Sequence, residues 1–275
     1  MTERVAEELS LAIESNKSLQ VLRIGGNDLR SDGIIRIANS ISRLSKLRIL
    51  AIDDNKITEE AADVIAVAIS CNIQLKVLNL NDNLLKKGIA IIANALHTNS
   101  IPLETLAVRS NQIPEEAANA LAAAVRSNSL LELLNLYSNN LCDNGMITIA
   151  QSLASLSSLK RLYVGDNKIT DKAADSIASV ILSNNKLETL YLNENFLGIG
   201  AIAIANSLKQ ISSLKILNLN SNQISESAAE DLAGALLSNK SLQLVALSDN
   251  HLTTKGIETI SLVLSNLLEL YIQYQ

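Results

Sequence analysis

A segment of eleven residues recurs along this chain and constrains its fold more than any other feature. It reads Leu-x-x-Leu-x-Leu-x-x-Asn-x-Leu, and successive copies begin 28 residues apart, with one step of 27. The complete copies begin at Leu19, Leu47, Leu75, Leu103, Leu131, Leu159, Leu187, Leu214 and Leu242. A period of this length is typical of solenoids, in which each repeat buries its apolar side against the next.

Each copy predicts a short strand followed by a helix. The leucines at the fourth and sixth motif positions alternate with variable residues, which is the period of a strand, and residues 61–69 have apolar side chains at helical spacing. Candidate helix starts are Thr58, Thr170 and Ser225 as caps and Pro114 in a first turn. Helices need about 10 Å of lateral room and paired strands about 4.8 Å. We therefore predict an α/β fold, a right-handed solenoid or horseshoe of about ten strand-helix repeats, with the parallel sheet on the concave face and the helices on the convex face.

The repeats predict a single domain over residues 1–275. Residues 1–18 form an N-terminal capping helix, in which Val5, Leu9 and Ile13 cover the first repeat, and residues 19–266 form nine repeats. A tenth copy begins at Leu267, so residues 267–275 are a terminal strand. An open parallel edge there predicts self-association with a second copy, continuation into further sequence, or fraying.

Asparagine occupies the ninth motif position in every complete copy. A side-chain amide can donate and accept hydrogen bonds, and here it can reach the backbone of adjacent loops. This pattern predicts a structural asparagine ladder. Its members are Asn27, Asn55, Asn83, Asn111, Asn139, Asn167, Asn195, Asn222 and Asn250.

Two kinds of repeat alternate. Alanine pairs open every other helix, at Ala61-Ala62, Ala117-Ala118, Ala173-Ala174 and Ala228-Ala229, and glycines mark the repeats between, at Gly33, Gly88, Gly145, Gly200 and Gly256. Repeats of 28 residues that alternate in this way resemble the ribonuclease-inhibitor class of leucine-rich repeats. The phrase at residues 55–63 resembles the repeat region of NOD-like receptors more closely. That resemblance implies a cytoplasmic protein-protein interaction module of innate immunity, the ligand-sensing or autoinhibitory region of a NOD-like receptor.

Two alternative functions use repeats of the same class. One is a GTPase-activating protein that resembles the Ran activator, which orients groups at a phosphoryl-transfer site. The other is an inhibitor that resembles ribonuclease inhibitor, although this chain has two cysteines and no tryptophan. The sequence offers no residues that can be assigned to the activator's function.

Composition argues against several other classes. The net charge is −5 with scattered lysines and arginines, which disfavours nucleic acid and membrane surfaces as partners. No apolar stretch approaches the length of a transmembrane helix or a signal peptide's core, so we predict a cytoplasmic protein. His97 and His251 lie more than five repeats apart, so no catalytic or metal site is expected. The phrase Gly198-Ile199-Gly200-Ala201-Ile202-Ala203 matches a dinucleotide fingerprint, but it is a repeat glycine without the acidic residue that would hold a ribose, so no cofactor is expected.

The predicted partner is another protein, bound at the concave face. The third, fifth and seventh motif positions face this side, and four of the five tyrosines occupy them. Tyrosine and arginine dominate binding hot spots because they bury a large area and keep a polar end. Candidate partner-binding residues are Tyr137, Tyr163, Tyr191, Tyr271, Arg109, Arg161, Asn135 and Asn193. The alternative interpretation is a cross-strand aromatic pair without a binding role.

Acidic residues recur at the eighth motif position. They are Asp54, Asp82, Asp166, Glu194 and Asp249, and they predict an acidic rim that favours a basic partner. Turn chemistry also favours aspartate at such bends and is the alternative explanation.

Overall fold

The computed structural model describes residues 3–16, 18–262 and 269–271, which form two compact units, Met1–Asn139 and Asn140–Gln275. The strands are β1 (Val21–Arg23), β2 (Ile49–Ala51), β3 (Val77–Asn79), β4 (Thr105–Ala107), β5 (Leu133–Asn135), β6 (Arg161–Tyr163), β7 (Thr189–Tyr191), β8 (Ile216–Asn218), β9 (Leu244–Ala246) and β10 (Glu269–Tyr271). The helices are α1 (Glu3–Ser15), α2 (Arg30–Ser42), α3 (Ala62–Ser70), α4 (Ile89–Thr98), α5 (Ala118–Arg126), α6 (Cys142–Leu153), α7 (Ala174–Ser183), α8 (Ala201–Leu208), α9 (Glu226–Ser238) and α10 (Thr254–Ser261). Short 3₁₀ helices span Glu59–Ala61, Lys86–Gly88, Glu115–Ala117, Asp171–Ala173 and Gly198–Gly200.

Each strand covers the third to fifth motif positions, and neighbouring strands pair in parallel at equal register. In the first unit, the third-position residues align from Val21 to Leu133 across β1–β5. In the second unit, the same position aligns from Arg161 to Glu269 across β6–β10. The leucines at the fourth position of β1–β8, such as Leu78, are buried. The predicted α/β alternation of strands and helices with a parallel sheet is therefore confirmed.

Parts of the predicted domain boundaries lie outside the described residues. Helix α1 lies within the predicted N-terminal segment, and its buried apolar residues are Ala6 and Ile13, while Val5 is exposed. That this helix caps the first repeat stays a prediction. The predicted terminal strand is described only at β10, which pairs with β9; Leu267 and residues 272–275 lie outside the described part. A single domain over the whole chain stays a prediction. Within the described residues, no helix has both the length and the hydropathy that crossing a bilayer requires.

Backbone dihedrals repeat with the motif. The residue at the eighth position has a φ between 48° and 70° in every complete copy. A second positive φ alternates between positions ten and twelve. It falls on position ten in the second, fourth, sixth and eighth copies, at Lys56, Gln112, Lys168 and Gln223, and on position twelve in the third, fifth and seventh, at Lys86, Cys142 and Gly198. The first copy has both, at Asp28 and Arg30. The two kinds of repeat therefore differ in backbone path.

Three pairs of consecutive repeats, each with one repeat of either kind, are joined by an additional contact, and we call such a pair a doublet. After the turn, isolated parallel bridges link Thr58 to Leu84, Thr170 to Phe196 and Ser225 to His251. In two of these doublets a glycine packs directly on an alanine of the preceding repeat. A Cβ atom on Gly88 would come within 2.9 Å of the Ala62 Cβ. The alternation of alanine pairs and glycines is a packing requirement at these contacts.

Helix starts follow the prediction only in part. The Thr170 side chain accepts the Lys172 backbone N–H, as a cap does. Thr58 and Ser225 occupy cap positions with extended backbone but accept no such hydrogen bond. The Thr58 hydroxyl instead lies 2.7 Å from the Ser31 hydroxyl of the preceding repeat. Pro114 sits at the cap position rather than in the first turn, because its ψ of 164° is extended.

We expect Gly200→Ala to lower the free energy of unfolding by about 2 kcal/mol, because overpacking forces neighbouring atoms apart. The added Cβ would lie 2.7 Å from the Ala174 Cβ and 2.8 Å from the Asp171 Cα. The matched control is Gly234→Ala in α9, where a Cβ meets nothing within 4 Å. There the gain in helix propensity is expected to stabilise by about 0.5–1 kcal/mol. Urea denaturation measures both changes, and equal effects of the two substitutions would contradict the packing argument.

Candidate functional site

The side of the sheet opposite the helices carries the third, fifth and seventh motif residues, and we call it the open face. Because side chains alternate along a strand, the buried fourth-position leucine leaves its two neighbours on the other side. Most side chains on the open face are half-buried or exposed. Ala51, Ala107 and Ala246 are exceptions, since a methyl group at the fifth position is covered by its larger neighbours.

A tyrosine patch lies on the open face of the second unit and consists of Arg161, Tyr163 and Tyr191. β6 and β7 pair so that Tyr163 stands directly opposite Tyr191. Their ring centroids are 5.1 Å apart and the ring planes meet at 78°, an edge-to-face arrangement that aromatic pairs prefer. Both rings are half-buried and Arg161 is exposed. The patch therefore combines two rings in mutual contact with one exposed cation.

Burial controls the ionisation of this patch. Partial burial raises the pKa of the Tyr163 hydroxyl, the positive charge of Arg161 acts to lower that pKa, and Tyr191 adds a smaller upward effect. The net direction is upward from the ordinary value of tyrosine. Tyr163 therefore remains a neutral phenol at physiological pH, able both to donate and to accept a hydrogen bond.

A second aromatic contact lies on the open face of the first unit. The Arg109 guanidinium carbon is 5.4 Å from the centroid of the Tyr137 ring, a cation-π geometry. The same arginine approaches Asp82, with 3.8 Å between Nε and Oδ1. Because Arg109 is exposed and lies beside the Asp82 carboxylate, a positive and a negative charge stand next to each other on this part of the surface. That Arg109 and Tyr137 join Tyr163 and Tyr191 in one cluster stays a prediction.

The other predicted contact residues differ in what they offer a partner. The Asn135 Oδ1 accepts the Tyr137 backbone N–H at 3.1 Å, so this side chain shapes the strand end. Asn193 was expected to face solvent, but it is only 8 % exposed and donates to Glu194 Oε1 at 2.9 Å. Tyr271 is 53 % exposed, and its hydroxyl donates to Glu269 Oε2, which raises its pKa.

The five acidic residues predicted to form a rim all have left-handed backbone. Their φ values are 48° at Asp54, 55° at Asp82, 50° at Asp166, 59° at Glu194 and 57° at Asp249. Aspartate tolerates this conformation better than most residues, and other copies have glycine or serine at the same position. The turn geometry therefore supports the conformational explanation for the aspartates. A binding role for the rim stays a prediction.

The ninth-position asparagines connect each repeat to its neighbour. The Asn83 side chain donates to the carbonyl groups of Ile52, Leu80 and Asn81 at 3.0–3.1 Å. Its Oδ1 accepts the backbone N–H groups of Asn55 and Ile57 at 3.1 and 3.0 Å. Most of the ladder is buried, while Asn27 at its start is exposed. We propose that these contacts hold the turn after each strand.

A second set of buried asparagines follows the helices, and the sequence analysis missed it. Asn72 Nδ2 donates to the Ile41 carbonyl at 3.0 Å, and Asn184 Nδ2 donates to the Leu153 carbonyl at 3.1 Å. Equivalent positions bridge consecutive repeats at Asn128 and Asn239. The signal that could have found them is their recurrence in every other repeat, at intervals of 56, 56 and 55 residues.

The described residues contain no group of three or more His, Cys, Asp and Glu side chains placed to hold a metal ion. Cys71 and Cys142 are both free thiols. The phrase at residues 198–203 begins with a 3₁₀ helix, and a Cβ atom on Gly200 would clash with Ala174 and Asp171, so packing between repeats accounts for this glycine.

Comparisons with known proteins bear on the repeats. Residues 15–38, 155–178, 210–233 and 238–261 match a family model described as "Leucine Rich repeat". A comparison with curated proteins gives no significant match. Among solved structures, the chain is similar to leiomodin-1 actin-binding site 2, with 20% sequence identity and a TM-score of 0.40. That alignment covers 45% of this chain and 72% of the other, and a likeness of this extent carries no argument about function.

Proposed function

We propose that this chain, in which four segments match a leucine-rich repeat model, is a protein-recognition module that binds its partner through the open face of the sheet. The observation that carries this proposal is the tyrosine patch. Two tyrosine rings 5.1 Å apart and an exposed arginine, in a chain where only 2% of the residues are aromatic, have the composition of a binding hot spot. Such side chains lose little conformational freedom on binding, because the rings already restrain each other.

We further propose that the module serves in the cytoplasm as the ligand-sensing or autoinhibitory region of a protein of the NOD-like receptor type, with a role in innate immunity. The alternating backbone of the two repeat kinds supports a relationship to the ribonuclease-inhibitor class, in which such alternation is found. The phrase at residues 55–63 supports the receptor group within that class.

Affinity capture from the native source tests the proposal when wild-type protein is compared with a Tyr163→Ala/Tyr191→Ala variant. A partner retained by the wild type and lost by the variant is the expected result. The captured protein is then purified, and its dissociation constant is measured with both proteins. Partners that bind both proteins equally, through any surface, would contradict the role of the patch.

We expect the purified chain to leave GTP hydrolysis by Ran unchanged. GTPase activators that supply a catalytic group accelerate hydrolysis by about 10³- to 10⁵-fold. No exposed side chain on the open face can be assigned to such a role in this sequence. Single-turnover hydrolysis with radiolabelled GTP measures the rate. An acceleration of several orders of magnitude that one open-face substitution abolishes would favour the alternative function as an activator.

A further inference from the structure

An aliphatic row crosses the open face of the first unit. Its members occupy the third motif position on neighbouring strands and are Val21, Ile49, Val77 and Leu133. Thr105 takes the place between Val77 and Leu133. Val21 is 41 % exposed and the others are half-buried, so the row keeps apolar surface in contact with solvent. The second unit differs, since Arg161 and Thr189 begin the same row there.

Two carboxylates, which we call the acidic edge, lie beyond the aliphatic row at the end of β2, separated from Ile49 by the fifth-position Ala51. Asp53 and Asp54 follow β2 at the seventh and eighth motif positions, and Asp54 is exposed. The Asp53 carboxylate accepts the Asn79 side-chain amide at 2.9 Å and packs over Gly25. Within residues 3–16, 18–262 and 269–271, no lysine or arginine forms an ion pair with Asp53 or Asp54. Both carboxylates therefore remain available to a cation from outside.

The spacing of the row fits a helix. Parallel strands lie about 4.8 Å apart, so five strands span roughly 19 Å, and each contributes one side chain to the row. An α-helix advances about 5.4 Å per turn and presents one apolar position to the same face on each turn. A helix of about 13 residues therefore spans the row and presents about four apolar side chains to its four aliphatic members. A strand crossing the row would instead present same-side residues about 6.8 Å apart and lose this correspondence.

We propose that the aliphatic row binds an amphipathic helix of another protein, whose apolar stripe packs on Ile49 and Val77 and whose basic flank faces Asp53 and Asp54. We propose a basic helix because of charge complementarity: the Asp53 and Asp54 carboxylates of the acidic edge have no ion-pair partner among the described residues. This inference rests on the proposed function in one respect, that the open face binds protein. It names a contact surface separate from the tyrosine patch.

The experiment uses the full chain and two synthetic helical peptides of about 16 residues, held in helix by lactam bridges. Both carry leucine at helical spacing, and their flanks bear lysine in one peptide and glutamate in the other. Fluorescence anisotropy at low and physiological salt gives the dissociation constants. We expect the lysine peptide to bind at least about tenfold more tightly, with the preference weakening as salt rises.

Two double substitutions test the two halves of the surface. The Asp53→Asn/Asp54→Asn variant keeps the shape of both side chains, and asparagine tolerates the left-handed backbone at position 54. This variant should reduce the preference for the lysine peptide to less than about threefold. Ile49→Ser/Val77→Ser should weaken both peptides at least about tenfold. Ile216→Ser/Leu244→Ser changes paired third-position residues of the second unit and should leave binding unchanged.

Three results would overturn the inference. They are equal affinity of the two peptides, including no binding of either, an undiminished preference in the aspartate variant, and an equal loss in the second-unit control. Tyr163→Ala/Tyr191→Ala should retain the peptide affinity, and a loss there would assign binding to the tyrosine patch instead. If the peptide test fails, the tyrosine patch is still tested separately, by the affinity of the captured partner for the wild type and for the tyrosine variant. The failures of the two proposals are therefore distinguishable.

Discussion

Asn83→Ala is expected to lower the free energy of unfolding by about 3 kcal/mol. The substitution removes the acceptor of the Asn55 and Ile57 backbone N–H groups and the donor of three carbonyl hydrogen bonds. Asn83 is 2% exposed, so water cannot replace these partners without opening the turn. Each buried group left unpaired costs about 1–3 kcal/mol, and relaxation of the loop recovers part of the total. Urea denaturation followed by far-ultraviolet circular dichroism measures the loss.

The matched control is Asn27→Ala, at the exposed first position of the ladder. The Asn27 side chain donates to the carbonyl groups of Ile24 and Gly25 within its own repeat. Solvent reaches Asn27, so a loss of no more than about 1 kcal/mol is expected. An Asn83→Ala midpoint equal to that of the wild type would refute the structural role of the ladder.

Removing the tyrosine patch is expected to weaken partner binding by at least about 2 kcal/mol, roughly 30-fold in Kd. Tyr163→Ala/Tyr191→Ala deletes both rings of the edge-to-face pair at once, so neither can compensate for the other. The rings stand on the open face and are half-buried, so the free energy of unfolding should change by less than about 1 kcal/mol. Isothermal titration with the captured partner measures the affinity.

Tyr271→Ala tests whether the loss of an aromatic ring elsewhere on the open face has the same effect as the loss of the patch. Tyr271 occupies the same motif position on β10, with a 53 % exposed ring. It is three strands from β7 in sequence order and does not belong to the patch. Wild-type affinity in the Tyr163→Ala/Tyr191→Ala variant, for a partner that needs the open face, would eliminate the patch as the hot spot.

The main architecture is predictable from the sequence because its determinants are periodic. Leucines two residues apart specify which face of each strand is buried, and the 28-residue period specifies which strands are neighbours. The pairing of Tyr163 with Tyr191 follows directly from their equal motif positions, and the structure places them together. The presence of a helix before the first copy has the same origin, since a helical pattern of small and apolar residues occurs there.

Features that depend on local side-chain competition are less predictable. Asn193 and Asn81 share a motif position, yet Asn193 is buried and Asn81 is half-buried. The Thr58 hydroxyl contacts Ser31 of the preceding repeat instead of capping its own helix, a contact that depends on how closely the two turns approach. The positive φ at the tenth or twelfth position gave no distinct signal, because lysine, glutamine, cysteine and glycine all occur there.

The doublets determine what can be added to or removed from this chain. Gly88 and Gly200 each fit against an alanine of the repeat before, and the isolated bridges join the same repeats two by two. Deleting one repeat would place two helices of the same kind side by side. It would also place next to each other two turns that have their positive φ at the same motif position. Deleting a doublet would restore every original neighbour type. The unit that can be added or removed without changing the contacts between repeats is therefore about 56 residues long, twice the period of the leucines.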